Sequence, residues 1–464
     1  VSPQTTSSPP SVTPTTPLFI VGNGELNALS NALIVRKDGR VGTANYWLFV
    51  PTVFCENRNL DVIKEALHNE LGYSVSDKYT QYTHQLLKAY KEGGDLENIV
   101  LAPTANSNRV FKNVDGIKFL NHQGGCGGTR QDSATLSALL ASYANHPNVA
   151  GITLLSLGCQ HLQVQDFVED IKKQNPSFDK PLLVFEQQQS GNEEQMIAEA
   201  IKKTFEGLIE INTIERTPAP LSALCIGVKC GGSDGFSGVS ANPAVGYTAD
   251  LLVALGGKVL LAEFPELCGV EQNIIDRCNT QESAQKFIDL MRSYDDLAHK
   301  VGSGFHMNPS PGNIKDGLIT DAIKSAGAAK KGGTAPVVDV LDYTEPATKA
   351  GLNMVCTPGN DVEATTGQAA SGANLILFTT GLGTPTGNPV CPVIKVATNS
   401  ILAKKMSDII DIDCGDVISS EKTIEERGEA ILDYCIKAAS GEIIPKAVQL
   451  NQDDFIPWKR GVSL

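Results

Sequence analysis

Short apolar runs of strand length recur along this chain, and amphipathic stretches separate many of them. The strand-length runs lie at 47–53, 98–104, 116–120, 151–158 and 181–187, then at 223–229, 258–264, 336–343, 374–381 and 393–399. Helical spacing of apolar residues marks 57–71, 132–145, 192–205 and 272–298. Strand-length runs alternating with helical ones are the pattern of βαβ units, so an α/β fold of mostly parallel sheets is predicted. The stretch "INTIERTPAPLS" at 211–222 reads as a linker and divides two Rossmann-like lobes, 31–215 and 216–464. Residues 1–30 read as a flexible tail. The first seventeen are almost all Pro, Ser and Thr, without charge, and such a segment buries too little apolar surface to order itself.

Composition narrows the class. With 464 residues, 41% hydrophobic, the chain is long enough for a large core. A formal net charge of −14 argues against a nucleic-acid partner. No apolar run approaches the roughly 18 residues that a bilayer span needs, so a soluble chain is expected. The eleven cysteines are an odd number scattered through a long chain, unlike a disulfide scaffold. Reduced thiols, and hence the cytoplasm or another reducing compartment, are expected. The chain starts at Val1 rather than Met, which fits a processed product, a removed targeting segment among the readings.

Four cysteines sit where a strand-length run ends: Cys55, Cys126, Cys159 and Cys230. In open α/β sheets that edge is where ligands bind. Cys126 lies in "NHQGGCGGTRQDS" (121–133), a glycine-rich strand-to-helix turn with His122, Arg130 and Asp132 close by. Glycines let backbone amides approach a ligand, and the helix start that follows favours an anion. Thiolates at one sheet edge suit a soft metal or an iron–sulfur cluster, and three of them can leave one iron open. A mononuclear iron or zinc centre competes with that assignment, and unligated buried thiols are the plainer alternative. Spacing alone does not separate these.

Several motifs together resemble one family. They are "VRKDGRVGTANY", "PTVFCEN", "HQGGCG", "HPNVAGITLLSLGCQ", "CGGSDGFSGVSANPAVGYTADLLVALGG", "LAEFPELCGVEQ", "TPGNDVEATTG" and "ANLILFTTGLGTPTG". Over about residues 34–464 the chain is similar to the catalytic part of the altronate and galactarate dehydratase family. The resemblance implies an iron-dependent hydro-lyase acting on sugar acids, homo-oligomeric and cytosolic. It also implies an elimination that needs a base, a cation for the developing enediolate and an acid or metal for the departing hydroxyl. On these residues it suggests Glu263 and Glu266 for acid–base work or metal coordination, and Asp234 as ligand, base or turn cap. His122 becomes ligand, base or packing residue. Ser233, Ser240 and Asn242 form a carboxylate cradle, with Arg130 and Lys315 as candidate cations.

The chain also departs from the family pattern. Ala44, Gln160, Ile314, Ile323 and Leu382 stand where the family usually carries charge. Leu cannot replace the bidentate carboxylate recognition of Arg, so weak turnover of altronate or galactarate is expected. Many family members carry a small amino-terminal domain, where only a short tail precedes Val35 here. Stand-alone versions resemble the large subunit of sulfolactate sulfo-lyase, which points to a small-domain subunit acting in trans. Three readings follow: a sugar-acid dehydratase with altered substrate, a sulfo-lyase-like large subunit, and a catalytically silent relative kept for binding or structure.

Overall fold

The computed structural model describes residues 32–75, 77–102 and 109–461. The tail expected at 1–30 lies outside the described residues.

The first lobe is built on β3 (Tyr46–Pro51), β4 (Gly116–Phe119), β5 (Val149–Ser156) and β6 (Leu182–Glu186), in the order β4-β3-β5-β6, every pair parallel. Before it come β1 (Ala32–Val35) and β2 (Val41–Gly42), which pair antiparallel with each other. After it, β7 (Thr217–Pro218) pairs antiparallel with β1. The second lobe carries β8 (Cys225–Cys230), β9 (Lys258–Leu261), β10 (Val337–Leu341), β11 (Gly351–Val355), β12 (Leu375–Thr380), β13 (Val393–Ala397) and β14 (Ile412–Asp413). Their order is β10-β11-β9-β8-β12-β13-β14, again all parallel. The α/β fold with parallel sheets is therefore the observed one. The winding reverses between β8 and β12, which opens a crevice at their carboxyl ends.

The central strands are apolar at nearly every position because helices cover both faces. Trp47 on β3 is the largest fully buried side chain. Its ring lies so close to Gly151 and Gly207 that a Cβ there would stand 2.3 and 2.1 Å from it. Its Nε1 donates to Thr153 Oγ1 at 2.9 Å. One continuous apolar core runs from Leu48 and Val50 in the first lobe to Ile226, Ile376 and Val393 in the second. Tyr143 ties the lobes further, donating to Thr366 O at 3.2 Å and accepting from Asn388 Nδ2 at 2.9 Å. The carboxyl-terminal segment runs across both. Asp453 pairs with Lys118 at 2.8 Å, Gln452 accepts from Lys395 at 2.6 Å, and Arg460 pairs with Asp342 at 2.6 Å.

Three sequence expectations change. The run at 98–104 forms no strand over 98–102, and 103–108 lie outside the described residues. Val100 and Leu101 are exposed, and the sheet is completed without them. The long helix expected at 272–298 is two, Glu271–Asp276 and Gln281–Lys300. Thr280 interrupts them, its side chain accepting from Ser283 N as the second helix's cap. The stretch 211–222 is no free linker: β7 lies within it, and Arg216 donates to Thr43 O and Ala439 O while pairing with Asp115.

Candidate functional site

The candidate residues fall into two groups, one at the carboxyl edge of each sheet. In the first lobe, Cys55 follows β3, Cys126 follows β4 and Cys159 follows β5, and all three thiols are exposed. Their loops are stitched side by side: Phe54 N donates to Gly124 O at 3.1 Å and His161 N to Gly125 O at 3.0 Å. Gly125 has φ +96, and a Cβ on it would stand 2.2 Å from Thr52 O, so only glycine lets these loops close up. Partial burial pushes the Cys55 thiol up, and the neighbouring Cys126 and Cys159 push it further. Among the described residues these three sulfurs are not all within 4.8 Å of one another, so they frame a space wider than a single tetrahedral ion needs.

Beside Cys126 opens a cleft of about 350 Å³, walled by the glycine turn, the start of helix Arg130–Asn145 and residues 455–459. Beside Cys55, Glu56 is fully buried and its Oε1 has no hydrogen-bond partner among the described residues. Burial raises its pKa. A buried orphan oxygen of this kind calls for a partner from outside the chain. Sequence reasoning missed Glu56, since nothing in "FCEN" distinguishes it from a solvated helix-start residue.

His122 does not join the thiols as a ligand or base. Its Nε2 donates to Pro51 O at 2.9 Å and its Nδ1 accepts from Gly124 N at 3.1 Å, so both ring nitrogens hold the turn. Burial pushes its pKa down to about 4, which keeps the ring neutral. Of its three readings, packing is the one observed. Arg130 lies exposed at the start of its helix, beside Asp166 and His161. Gln160 is satisfied internally by Gly158 N, Ser156 Oγ and Leu162 O.

In the second lobe Cys230 ends β8, at the crevice where the winding reverses. Its electrostatic neighbours are Lys331, Glu266, Glu263 and Lys229, so the four strand-end cysteines form two groups rather than one. Glu263, with φ 71 in the left-handed region, sits between two ammonium groups: Lys229 bonds its Oε1 and Lys331 lies 3.1 Å from its Oε2. Lys331 also donates to Cys230 Sγ at 2.8 Å. Lys229 further pairs with Asp361 at 2.9 Å. Glu266 places Oε2 3.5 Å from Cys230 Sγ and pairs through Oε1 with Lys324 at 2.8 Å.

Burial alone would raise the pKa of Glu263, but the two lysines outweigh it and hold the carboxyl at about 2. Burial drives the Cys230 thiol up to about 11 despite Lys331, so it stays protonated near neutrality. Ligand atoms of Cys230, Glu263 and Glu266 lie within 4.8 Å of one another, a spacing a metal ion accepts. Lysine ammonium groups, however, already bond both Glu263 oxygens and the thiol. Cys230 thus has Glu263 and Glu266, rather than the other three cysteines, as its neighbouring ligand atoms. Neither of the buried lysines Lys229 and Lys331 is picked out from sequence, because a lysine inside an apolar strand such as "CIGVKC" reads as an edge residue.

The turn after Cys230 is held by Asp234, whose carboxylate accepts from Ser237 Oγ (2.9 Å), Phe236 N (3.2 Å), Thr398 Oγ1 (2.9 Å) and Asn399 Nδ2 (3.1 Å). With every lone pair engaged, Asp234 caps the turn. Ser240 and Asn242 are committed as well, Ser240 to Phe236 O and Thr398 O, Asn242 to Gly327 O and Thr379 Oγ1. Of the expected cradle, Ser233 keeps a hydroxyl that makes no hydrogen bond among the described residues, and it lines a cavity together with Cys230, Lys324 and Lys330. Lys315 is exposed at the end of the short helix Pro311–Lys315. Ala44 is buried, whereas Ile314, Ile323 and Leu382 are exposed. Among the described residues, no helix is long and apolar enough to cross a membrane.

Two family profiles cover nearly the whole described chain. The one described as D-galactarate dehydratase/altronate hydrolase, second domain, matches residues 34–212. The one described as D-galactarate/altronate dehydratase, C-terminal, matches 221–463. An altronate dehydratase of Bacillus subtilis is 33% identical over 432 residues, covering 92% of this chain and 77% of that protein. The galactarate dehydratase (L-threo-forming) of Escherichia coli is 35% identical over 304 residues, 64% of this chain and 57% of its own length. The (2R)-sulfolactate sulfo-lyase subunit beta of Chromohalobacter salexigens is 31% identical over 340 residues, 73% of this chain and 86% of that subunit. With both lobes matched in sequence and both sheet edges carrying the residues on which the resemblance rested, the chain belongs to the D-galactarate/altronate dehydratase family.

Proposed function

We propose that this chain is a hydro-lyase that eliminates water from a hydroxy acid. The observation that carries the proposal is the buried Lys229–Glu263–Lys331–Cys230–Glu266–Lys324 cluster at the crevice of the second sheet. Glu263 is fixed as an anion between two lysines and serves as a charge anchor rather than a proton carrier. Glu266 is the candidate base, because its Oε2 meets only the Cys230 thiol and is held by no lysine. In that role it takes the proton beside the substrate carboxylate. Lys324 and Lys331 then stabilise the negative charge that develops on the carboxylate oxygens. The low exposure of the cluster strengthens each of these interactions relative to water.

Iron belongs to this reading through the first lobe. Three exposed thiols at one edge, wider apart than a mononuclear set, with the orphan Glu56 oxygen alongside, fit an iron–sulfur group better than a single ion. Cys55, Cys126 and Cys159 would hold it, and when bound it supplies Lewis acidity toward a substrate oxygen. A second reading, a sulfo-lyase-type catalytic subunit working with a smaller chain, is favoured by the 86% coverage of the sulfolactate sulfo-lyase subunit. The test is an anaerobic turnover assay over a panel of sugar acids, other hydroxy acids and sulfolactate, reading the 2-oxo acid or sulfite formed. Glu266→Gln should lower turnover roughly 100-fold or more. Unchanged turnover in that variant contradicts the proposed base. No turnover of any panel member by the iron-loaded chain favours a silent binding protein.

A further inference from the structure

The cavity under the 231–239 turn takes a ligand of mixed character. It encloses about 230 Å³ and is lined by Cys230, Ser233, Asn242, Lys324, Lys330 and the aliphatic side chains of Val239, Leu318 and Ile323. No carboxylate is among its lining residues. Lys330 is exposed, donates its ammonium to Gly238 O at 3.1 Å and has no acidic partner among the described residues, whereas Lys324 pairs with Glu266 at 2.8 Å. Ser233 is 3% exposed, lines the cavity, and its hydroxyl makes no hydrogen bond among the described residues. Helix Ala241–Ala254 begins at the turn and adds its amino-terminal dipole. The floor thus offers an anion two ammonium groups, an uncommitted hydroxyl and a helix start.

The mouth has the opposite character. Val239 is 58% exposed and Ile323 46%. Gly235 N donates to Asp316 O at 2.8 Å, which brings the 311–329 segment, with Ile323, to the cavity. Exposed aliphatic side chains at the mouth of a cavity mark a surface that an apolar group covers. A polyhydroxylated acid would have to bring its hydroxyls against Val239 and Ile323, neither of which can accept or donate a hydrogen bond.

The geometry points to a small hydroxy acid with an alkyl tail as the ligand of this cavity, its carboxylate on Lys330, Lys324 and Ser233 and its tail against Val239 and Ile323. The inference rests on the hydro-lyase reading only for the ligand being a hydroxy acid.

The experiment is isothermal titration of the full chain with two probes, 2-hydroxy-4-methylpentanoate and galactarate. The alkyl acid should bind at least about tenfold more tightly, the size of effect that a few buried methylene groups produce. Lys330→Ala should weaken it about tenfold or more by removing a charged hydrogen bond. Ile323→Ser and Val239→Ser, both at exposed positions, should each reduce the preference for the alkyl acid while leaving galactarate unchanged. Galactarate binding as tightly as the alkyl acid overturns the inference. So does alkyl-acid binding that none of the three variants alters, since the ligand then sits elsewhere. Because binding is read without turnover, absent iron or absent turnover would count against the proposed function alone. Poor alkyl-acid binding by an iron-loaded, active chain would count against this inference alone.

Discussion

Lys331→Met is the perturbation that weighs most on the second-lobe cluster. It keeps most of the apolar stem and removes the ammonium group with its hydrogen bonds. Lys331 is fully buried, 3.1 Å from Glu263 Oε2 and 2.8 Å from Cys230 Sγ. Removing one partner of a buried pair costs about 3–5 kcal/mol, and Glu263 keeps Lys229, which puts the loss near the lower end. Linkage has the same sign: Lys229 and Lys331 hold the Glu263 carboxyl below the ordinary carboxylate range against the opposing effect of burial, so its ionised form adds stability. Since the folded pKa is the lower one, that contribution is complete above about pH 4.5 and is lost as pH falls toward 2. In the variant the carboxyl pKa rises and the acid-side loss begins at higher pH. Differential scanning calorimetry at pH 7 should show a Tm lower by roughly 3 °C or more, at about 1 °C per kcal/mol for a chain of 464 residues. A Tm within about a degree of the parent chain at pH 7 would refute the buried network as drawn.

Other substitutions read the remaining geometry. His122→Ala strands Gly124 N and Pro51 O inside the turn, and should cost about 1–3 kcal/mol in denaturant unfolding. A pH–rate profile should show no limb from this imidazole, whose pKa lies at about 4 through burial. Ala44→Arg forces a charge into a buried position beside Asn148 and should unfold the chain at lower denaturant, whereas Leu382→Arg, at an exposed site, should leave the midpoint unchanged. Asp234→Ala frees four donors at once and should destabilise by several kcal/mol, about 1 for each net hydrogen bond.

The fold was legible because its signal is local and repeated. Runs such as "WLFVPTV" and "NLILFTTG" are apolar through and through, and only a strand covered on both faces asks for that. The stretch 98–104 carried the same local signal, but its described part, 98–102, pairs with no strand, and pairing is a property of the whole chain. The helix break before Gln281 turned on one cap, Thr280, which periodicity does not see. At the sites, strand-end position found Cys55, Cys126 and Cys159, since the carboxyl edge of a parallel sheet follows directly from topology. It also grouped Cys230 with them, whereas Cys230 ends a strand of the other sheet, and strand-end position does not say which sheet a strand joins. His122 and Asp234 have the residue types of catalysis and the contacts of turn anchors. Lys229, Lys331 and Glu56 went unnoticed because burial of a charge is decided by distant segments: Lys331 lies 68 positions from Glu263 and 101 from Cys230.

The central claim is that Cys55, Cys126 and Cys159 hold an iron–sulfur group while Cys230 does not. The most direct measurement is iron and acid-labile sulfide per chain after anaerobic purification and reconstitution, for the parent and for each Cys→Ser variant. The account predicts stoichiometric iron with sulfide in the parent, its loss in Cys55→Ser, Cys126→Ser and Cys159→Ser, and its full retention in Cys230→Ser. Iron that survives substitution of all three first-lobe cysteines, or that disappears only with Cys230, contradicts it.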